Sequence, residues 1–87
     1  MKIKSEYILR ELAGQNIVVP VGSEAVNFNG IITLNNSGKR LFKKLQEESS
    51  KEELITLLLE HYEVRQEQAK SDVEAFLLKL ESNNILE

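Results

Sequence analysis

The hydrophobic period of this chain changes once, at about Asn35, and that change limits the fold more than any other feature. Before it, short β-branched runs are separated by turn residues; after it, only the helical period occurs. A chain that places all its strands before its helices does not build the strand-helix-strand crossovers of a parallel sheet. The order β-β-β-α-α-α points instead to the α+β class, a three-stranded antiparallel sheet followed by three helices on one of its faces. At 87 residues the chain is one domain, residues 1–87, near the size at which a single core suffices without staples.

The first run, Glu6 to Leu12 (EYILREL), alternates: Tyr7, Leu9 and Glu11 point one way, and Ile8, Arg10 and Leu12 the other. Ala13 to Asn16 (AGQN) supplies a turn in which Gly14 and Asn16 are suited to positive φ. A second run, Ile17 to Val21 (IVVPV), follows at hairpin spacing. Pro20, the only proline, has no N–H to donate and belongs at a sheet edge or a frayed strand end. After a turn at Gly22 to Glu24, a third run extends from Ala25 to Leu34 (AVNFNGIITL), where Gly30 suggests a bulge or a close backbone approach. Phe28, Gly30, Ile32 and Leu34 share one face, read as the core face, and Asn29, Ile31 and Thr33 take the other.

Asn35 or Ser37 caps the first helix, with Leu34 stapling ahead of it and Leu41, Phe42 and Leu45 as its buried stripe. Ser50 and Glu53 have capping-box spacing for the second. Its apolar face is Leu54, Ile55, Leu58 and Tyr62, widened by Leu57 and Leu59. The third helix, from about Gln66 to Ser82, has the clearest period. Ala69, Val73, Phe76, Leu77 and Leu80 fall within an arc of about 100°, the width of a core-facing stripe. Ile85 and Leu86 are expected to fold back onto the core. Leu78 lies opposite the stripe, beside Ala75 and Ser71, either as an ordinary exposed leucine or as a contact for another protein.

Composition narrows function by exclusion. An apolar fraction of 41% and a charged fraction of 29% are those of a globular rather than a disordered chain. There is no cysteine, so disulfides and thiolate chemistry are excluded. The charged N-terminal stretch MKIKSEYILREL is not a signal peptide, and no apolar run reaches membrane-spanning length, so a cytoplasmic location away from membranes is the default expectation. His61 is the only histidine, too few for a metal site, and no phosphate-binding glycine loop or nucleophile motif occurs. The four glycines, Gly14, Gly22, Gly30 and Gly38, are taken as isolated turn or bulge residues. Glu47, Glu48, Glu52 and Glu53 read as a solvated charge run that favours a helix start, and Tyr7 and Tyr62 as half-buried packing residues. No catalytic residue and no cofactor is expected. The chain is built to bind rather than to transform.

Several stretches taken together resemble one family. The Val19–Pro20 pair after the second strand, FNGIITLNNSG (Phe28 to Gly38), SKEELITLLLEHYEV (Ser50 to Val64) and AKSDVEAFLLKLESNNIL (Ala69 to Leu86) resemble, in order and spacing, the pyrroloquinoline-quinone-synthesis protein D (PqqD-like) family. The resemblance covers Tyr7 to Leu86. Arg65 departs from it, standing where the family tends to open its third helix with an acidic or small polar residue, and Glu67 in the first turn offsets the weaker cap. The resemblance implies a winged-helix-like domain that serves as a recognition element. Such domains bind the leader segment of a ribosomally made precursor peptide and present it, chaperone-like, to a modifying enzyme, commonly a radical S-adenosylmethionine protein. It further implies that the leader adds as a strand to the third strand and lies against the third helix.

The residues supply a physical basis for that mode. An open sheet edge offers a row of N–H and C=O groups to an extended peptide. Pro20 spoils part of the second strand as a template, whereas the third has no proline from Val26 to Leu34. The expected peptide-binding residues are therefore Asn29, Gly30, Ile31, Ile32, Thr33 and Leu34. On the third helix two shoulders qualify, one near Lys70, Glu74 and Glu81 and the other near Asp72 and Lys79. The preferred wall is Ala69, Lys70, Val73, Glu74 and Leu77. An open edge also permits pairing of two copies, a possible homodimer.

The competing reading is a winged-helix nucleic-acid-binding protein. It calls for a basic recognition helix, yet the net charge is −3 and the third helix carries Glu67, Asp72, Glu74 and Glu81 against Arg65, Lys70 and Lys79. Only the first helix, with Lys39, Arg40, Lys43 and Lys44, is basic. No nucleic-acid partner is expected.

Overall fold

A computed structural model describes residues 1–22 and 32–87. Three strands, β1 (Tyr7–Leu12), β2 (Gln15–Pro20) and β3 (Ile32–Leu34), form one antiparallel sheet in the order β1-β2-β3. Three helices follow: α1 (Asn36–Lys44), α2 (Lys51–His61) and α3 (Gln66–Ser82). The α+β order read from the hydrophobic period is the order found. The expectations that concern Ala25, Val26, Phe28, Asn29, Gly30 and Ile31 lie outside the described residues.

β1 and β2 make a hairpin in which Leu12 pairs with Gln15, so Ala13 and Gly14 alone form the turn. Their φ values are 52° and 78°, the two successive positive angles of a type I′ turn, whose twist matches that of the flanking strands. Asn16, expected in the turn, is instead a buried strand residue whose Nδ2 donates to the Leu34 carbonyl at 3.4 Å. The positive angle falls on Ala13, whose Cβ makes a left-handed backbone costly by about 1–2 kcal/mol. Asn tolerates that geometry and is favoured at the first position of such turns. Ala13→Asn is therefore expected to raise stability by about 0.5–1 kcal/mol, read as a higher urea midpoint at unchanged slope. An unchanged or lower midpoint would mean that the turn carries no such strain.

The sheet turns Tyr7, Val18, Ile32 and Leu34 inward, and there they meet the helix stripes. Leu41 and Phe42 of α1 with its C-cap Leu45, Leu54 and Leu58 of α2, and Ala69, Val73, Phe76, Leu77 and Leu80 of α3 are all buried, as their periodicity requires. Tyr7 is fully buried rather than half-buried, and Leu59, expected to widen the α2 face, is 39% exposed. Ile3 joins the core although nothing in its local pattern marks it.

Capping explains where the helices start and stop. Asn35 caps α1, its Oδ1 accepting from Gly38 N at 2.8 Å and from Ser37 Oγ at 2.9 Å. Ser50 and Glu53 form the capping box of α2, each side chain accepting from the other's backbone N–H at 3.1 Å. Arg65 precedes α3 without a side-chain cap bond. At the far end of α3, Asn84 N–H donates to Glu81 O at 3.0 Å and Ile85 N–H to Leu80 O at 2.9 Å, with Asn84 at φ 58°. This is a Schellman motif, and its apolar contact is Leu80 with Ile85, both fully buried. Ile85 O then accepts from Lys4 N–H, and Leu86 bridges to Ile3, so the chain's two ends pair as expected for Ile85 and Leu86 folding back. No helix among the described residues is long and apolar enough to cross a membrane.

Candidate functional site

The ladder register decides which backbone groups the sheet leaves open. Val21 N–H donates to Glu6 O at 2.7 Å, in line with the β1–β2 register that pairs Ile8 with Val19 and Arg10 with Ile17. Antiparallel ladders alternate, so Ile17 turns its N–H and C=O toward β1, and Asn16 and Val18 turn theirs toward β3. On β3 the partners are Leu34 for Asn16, Thr33 for Ile17 and Ile32 for Val18. Ile32 and Leu34 therefore bond inward to β2. The N–H and C=O of Thr33 face out of the sheet, and among the described residues β3 is an edge strand. Pro20 ends β2, as its missing donor requires.

A groove of about 370 Å³ runs beside that edge. One wall is Thr33 and Leu34 of β3 with Asn35, Ser37, Gly38 and Leu41 at the start of α1; the other is Asp72, Ala75, Phe76 and Lys79 of α3. Its deepest side chains, Leu34, Leu41 and Phe76, are buried and apolar, whereas Thr33, Ala75 and Lys79 are exposed at its rim. Gly38, expected as a turn residue, is the third residue of α1. A Cβ there would stand 3.2 Å from Leu34 Cβ and 3.2 Å from Asn35 Oδ1, so glycine lets the first turn of α1 close against the end of β3. Past the N-terminus of α1 a second hollow continues over Leu58, Tyr62 and Val64, sharing Asn35, Ser37 and Asp72 with the first. Asp72 thus marks the α1 end of the groove and Lys79 the opposite end.

The α3 residues expected to wall the groove lie elsewhere. Ala69, Val73 and Leu77 are buried in the core. Lys70 and Glu74 project from the other shoulder, and Glu74 accepts from Lys51 Nζ of α2 at 2.6 Å. That hydrogen bond and the Lys51 charge hold the Glu74 carboxyl below its ordinary pKa. The preferred shoulder thus faces α2, and the alternative shoulder with Asp72 and Lys79 faces β3. Of the strand residues, Thr33 and Leu34 line the groove, Ile32 is in the core beneath the edge, and Asn29, Gly30 and Ile31 lie outside the described residues. Sequence reasoning passed over Asn35, Ser37, Gly38, Leu41, Ala75 and Phe76 as groove residues. Ala75 carried a signal: a small residue beside the stripe leaves room for a chain to lie against the helix.

The cations of α1 are largely engaged. Lys39 Nζ lies 3.4 Å from Glu11 Oε2, Lys44 Nζ lies 3.8 Å from Glu53 Oε2, and the Arg40 guanidinium sits 5.9 Å from the Tyr62 ring centroid. His61 is exposed, and among the described residues no group of three or more metal-ligating side chains gathers.

The family model of coenzyme PQQ synthesis protein D (PqqD) matches residues 15–86. No curated protein matches the chain. Two solved structures share its fold. "TbiB1 in Complex with the TbiA(beta) Leader Peptide" superposes with a TM-score of 0.77 at 21% identity, over 100% of this chain and 95% of that chain. "Lasso peptide synthetase B1 complexed with the leader peptide" superposes with a TM-score of 0.73 at 18% identity, over 97% of this chain and 93% of that one. At such identities the likeness is one of fold.

Proposed function

The chain belongs to the coenzyme PQQ synthesis protein D family, and we propose that it is a binding module, not an enzyme, for the leader segment of a ribosomally made precursor peptide. The leader adds as a strand to the outer edge of β3 and lies in the groove against α3. The observation that carries this reading is the coincidence of two features. The outward N–H and C=O of Thr33 are unpaired in the sheet that the described residues form, and the edge that bears them opens onto a groove with an apolar floor. Both solved structures of like fold are described as leader-peptide complexes, which supports the same use of the fold here. Main-chain pairing supplies sequence-tolerant affinity, and the groove selects alternate side chains.

In this reading the peptide-contacting residues are Thr33, Leu34, Asp72, Ala75, Phe76 and Lys79, to which the sequence expectation adds Asn29, Gly30 and Ile31. The bound leader is presented to a peptide-modifying enzyme, a radical S-adenosylmethionine protein being the partner the family resemblance favours. Nucleic-acid binding fits less well. Three of the four cations of α1 already have partners, and α3 bears more acidic than basic side chains.

The test is an amide-shift titration of isotope-labelled protein with a synthetic candidate leader peptide. Perturbations are expected at Thr33, Leu34, Asp72, Ala75, Phe76 and Lys79. Shifts gathered instead on Lys70 and Glu74, or on β1, would remove the groove from the proposal.

A further inference from the structure

The groove carries two charged side chains, and they differ in their partners. Asp72 is half-buried, its Oδ1 accepts from Gln68 Nε2 at 2.8 Å, and it lies at the N-terminal end of α1, where the helix dipole favours an anion. Lys79 is exposed at the other end of the groove, and its ammonium has no hydrogen-bond or ion-pair partner among the described residues. Lys39, Lys44 and Lys51 each have a carboxylate partner. An unpaired cation beside an apolar floor is a polarity label.

Strand geometry says which leader residues meet it. A peptide residue directly opposite Thr33 shares the face of the Thr33 side chain and points away from the helices. Its two neighbours point into the groove, about 7 Å apart from each other. Asp72 and Lys79 stand two helical turns apart, about 10 Å along α3, so the two groove-facing side chains fit between them. One lies at the Lys79 end, and the other rests on Leu34, Leu41 and Phe76.

We propose that Lys79 sets leader specificity by pairing with an acidic side chain, two residues from an apolar side chain seated on Leu34, Leu41 and Phe76. The ligand class is an extended peptide with an acid and an apolar residue alternating on one face. This rests on the reading of the groove as the leader site and adds to it the sign of the charge selected and the residue that selects it.

The test pans a phage-displayed library of short random peptides against the full chain, against Lys79→Glu and against Lys70→Glu, which makes the same charge change on the opposite shoulder. The unaltered chain and Lys70→Glu are expected to enrich peptides with Asp or Glu two positions from an apolar residue. Lys79→Glu is expected to lose that preference or exchange it for Lys or Arg. Replacing the acid of a selected peptide by its amide is expected to weaken binding to the unaltered chain about two- to five-fold, and not to weaken binding to Lys79→Glu. Recovery of alternating apolar peptides without an acid, or an acid preference that survives Lys79→Glu or disappears with Lys70→Glu, would overturn the assignment while leaving the groove in place. Recovery of no peptide by the unaltered chain would overturn the leader site itself, and this inference with it.

Discussion

Thr33→Pro is expected to leave the domain folded while weakening leader binding by about tenfold or more. Proline is tolerated on an edge strand where its missing N–H would have faced outward, and Thr33 occupies that position in the register. The residue before it, Ile32, is already extended, as proline demands of its predecessor. What disappears is the donor offered to the incoming strand, a hydrogen bond worth about 0.5–1.5 kcal/mol net. The ring also obstructs the approaching backbone, which carries the loss to about one decade of affinity, or 1.4 kcal/mol. Proline at Ile32 is expected to act oppositely. It removes the N–H bonded to Val18 together with a core side chain, so the fold fails before binding can be read. Fluorescence anisotropy with a labelled leader and a thermal melt of each variant separate the two effects. A folded Thr33→Pro protein with unaltered affinity would show that the peptide does not add to this edge.

Phe42→Ala is expected to be the most damaging single truncation for stability. Phe42 is 1% exposed, the largest of the fully buried side chains among the described residues, and sits between Leu41 and Leu45 on the face that α1 turns to the sheet and the other helices. Truncating a buried phenylalanine costs about 3–5 kcal/mol, the transfer free energy plus that of the cavity left behind. A domain of this length has a total stability on the order of 5–10 kcal/mol. The melting midpoint, followed by far-ultraviolet circular dichroism, is expected to fall by about 15–30 °C. A loss below about 1 kcal/mol would show that the site collapses to fill the space, and that the core is looser than its burial indicates.

These two variants also mark how far local reasoning reaches. The burial of Phe42 was legible because Leu41, Phe42 and Leu45 repeat at helical spacing, and periodicity states which side of a helix must leave water. The same holds for the α3 stripe and for the Ser50–Glu53 capping box, whose partners are close in sequence. Details set by contacts between distant residues were less accessible. Asn16 looks like a turn residue by type, yet it is paired in β2 and bonded to Leu34. Gly38 looks like a turn or bulge residue, yet it is the point where a helix meets a strand end. Ile3 has no periodic neighbours, and its burial follows from the pairing of the two chain ends.

The groove divides along the same line. Strand patterning determined that Ile32 and Leu34 face the core, because alternation is a local property. Helical patterning determined that Ala69, Val73, Phe76, Leu77 and Leu80 are buried. Which flank of that stripe meets the strand was decided only by tertiary packing. A hydrophobic arc defines one direction, from the helix axis to the core, and is silent about the neighbours on either side. In the packed domain Lys51 of α2 meets Glu74 on one flank and the α1 start closes on Leu34 beside the other. Asp72, Ala75 and Lys79 were thereby left to face the open edge, because helix positions around a shared core follow from packing between segments far apart in the chain.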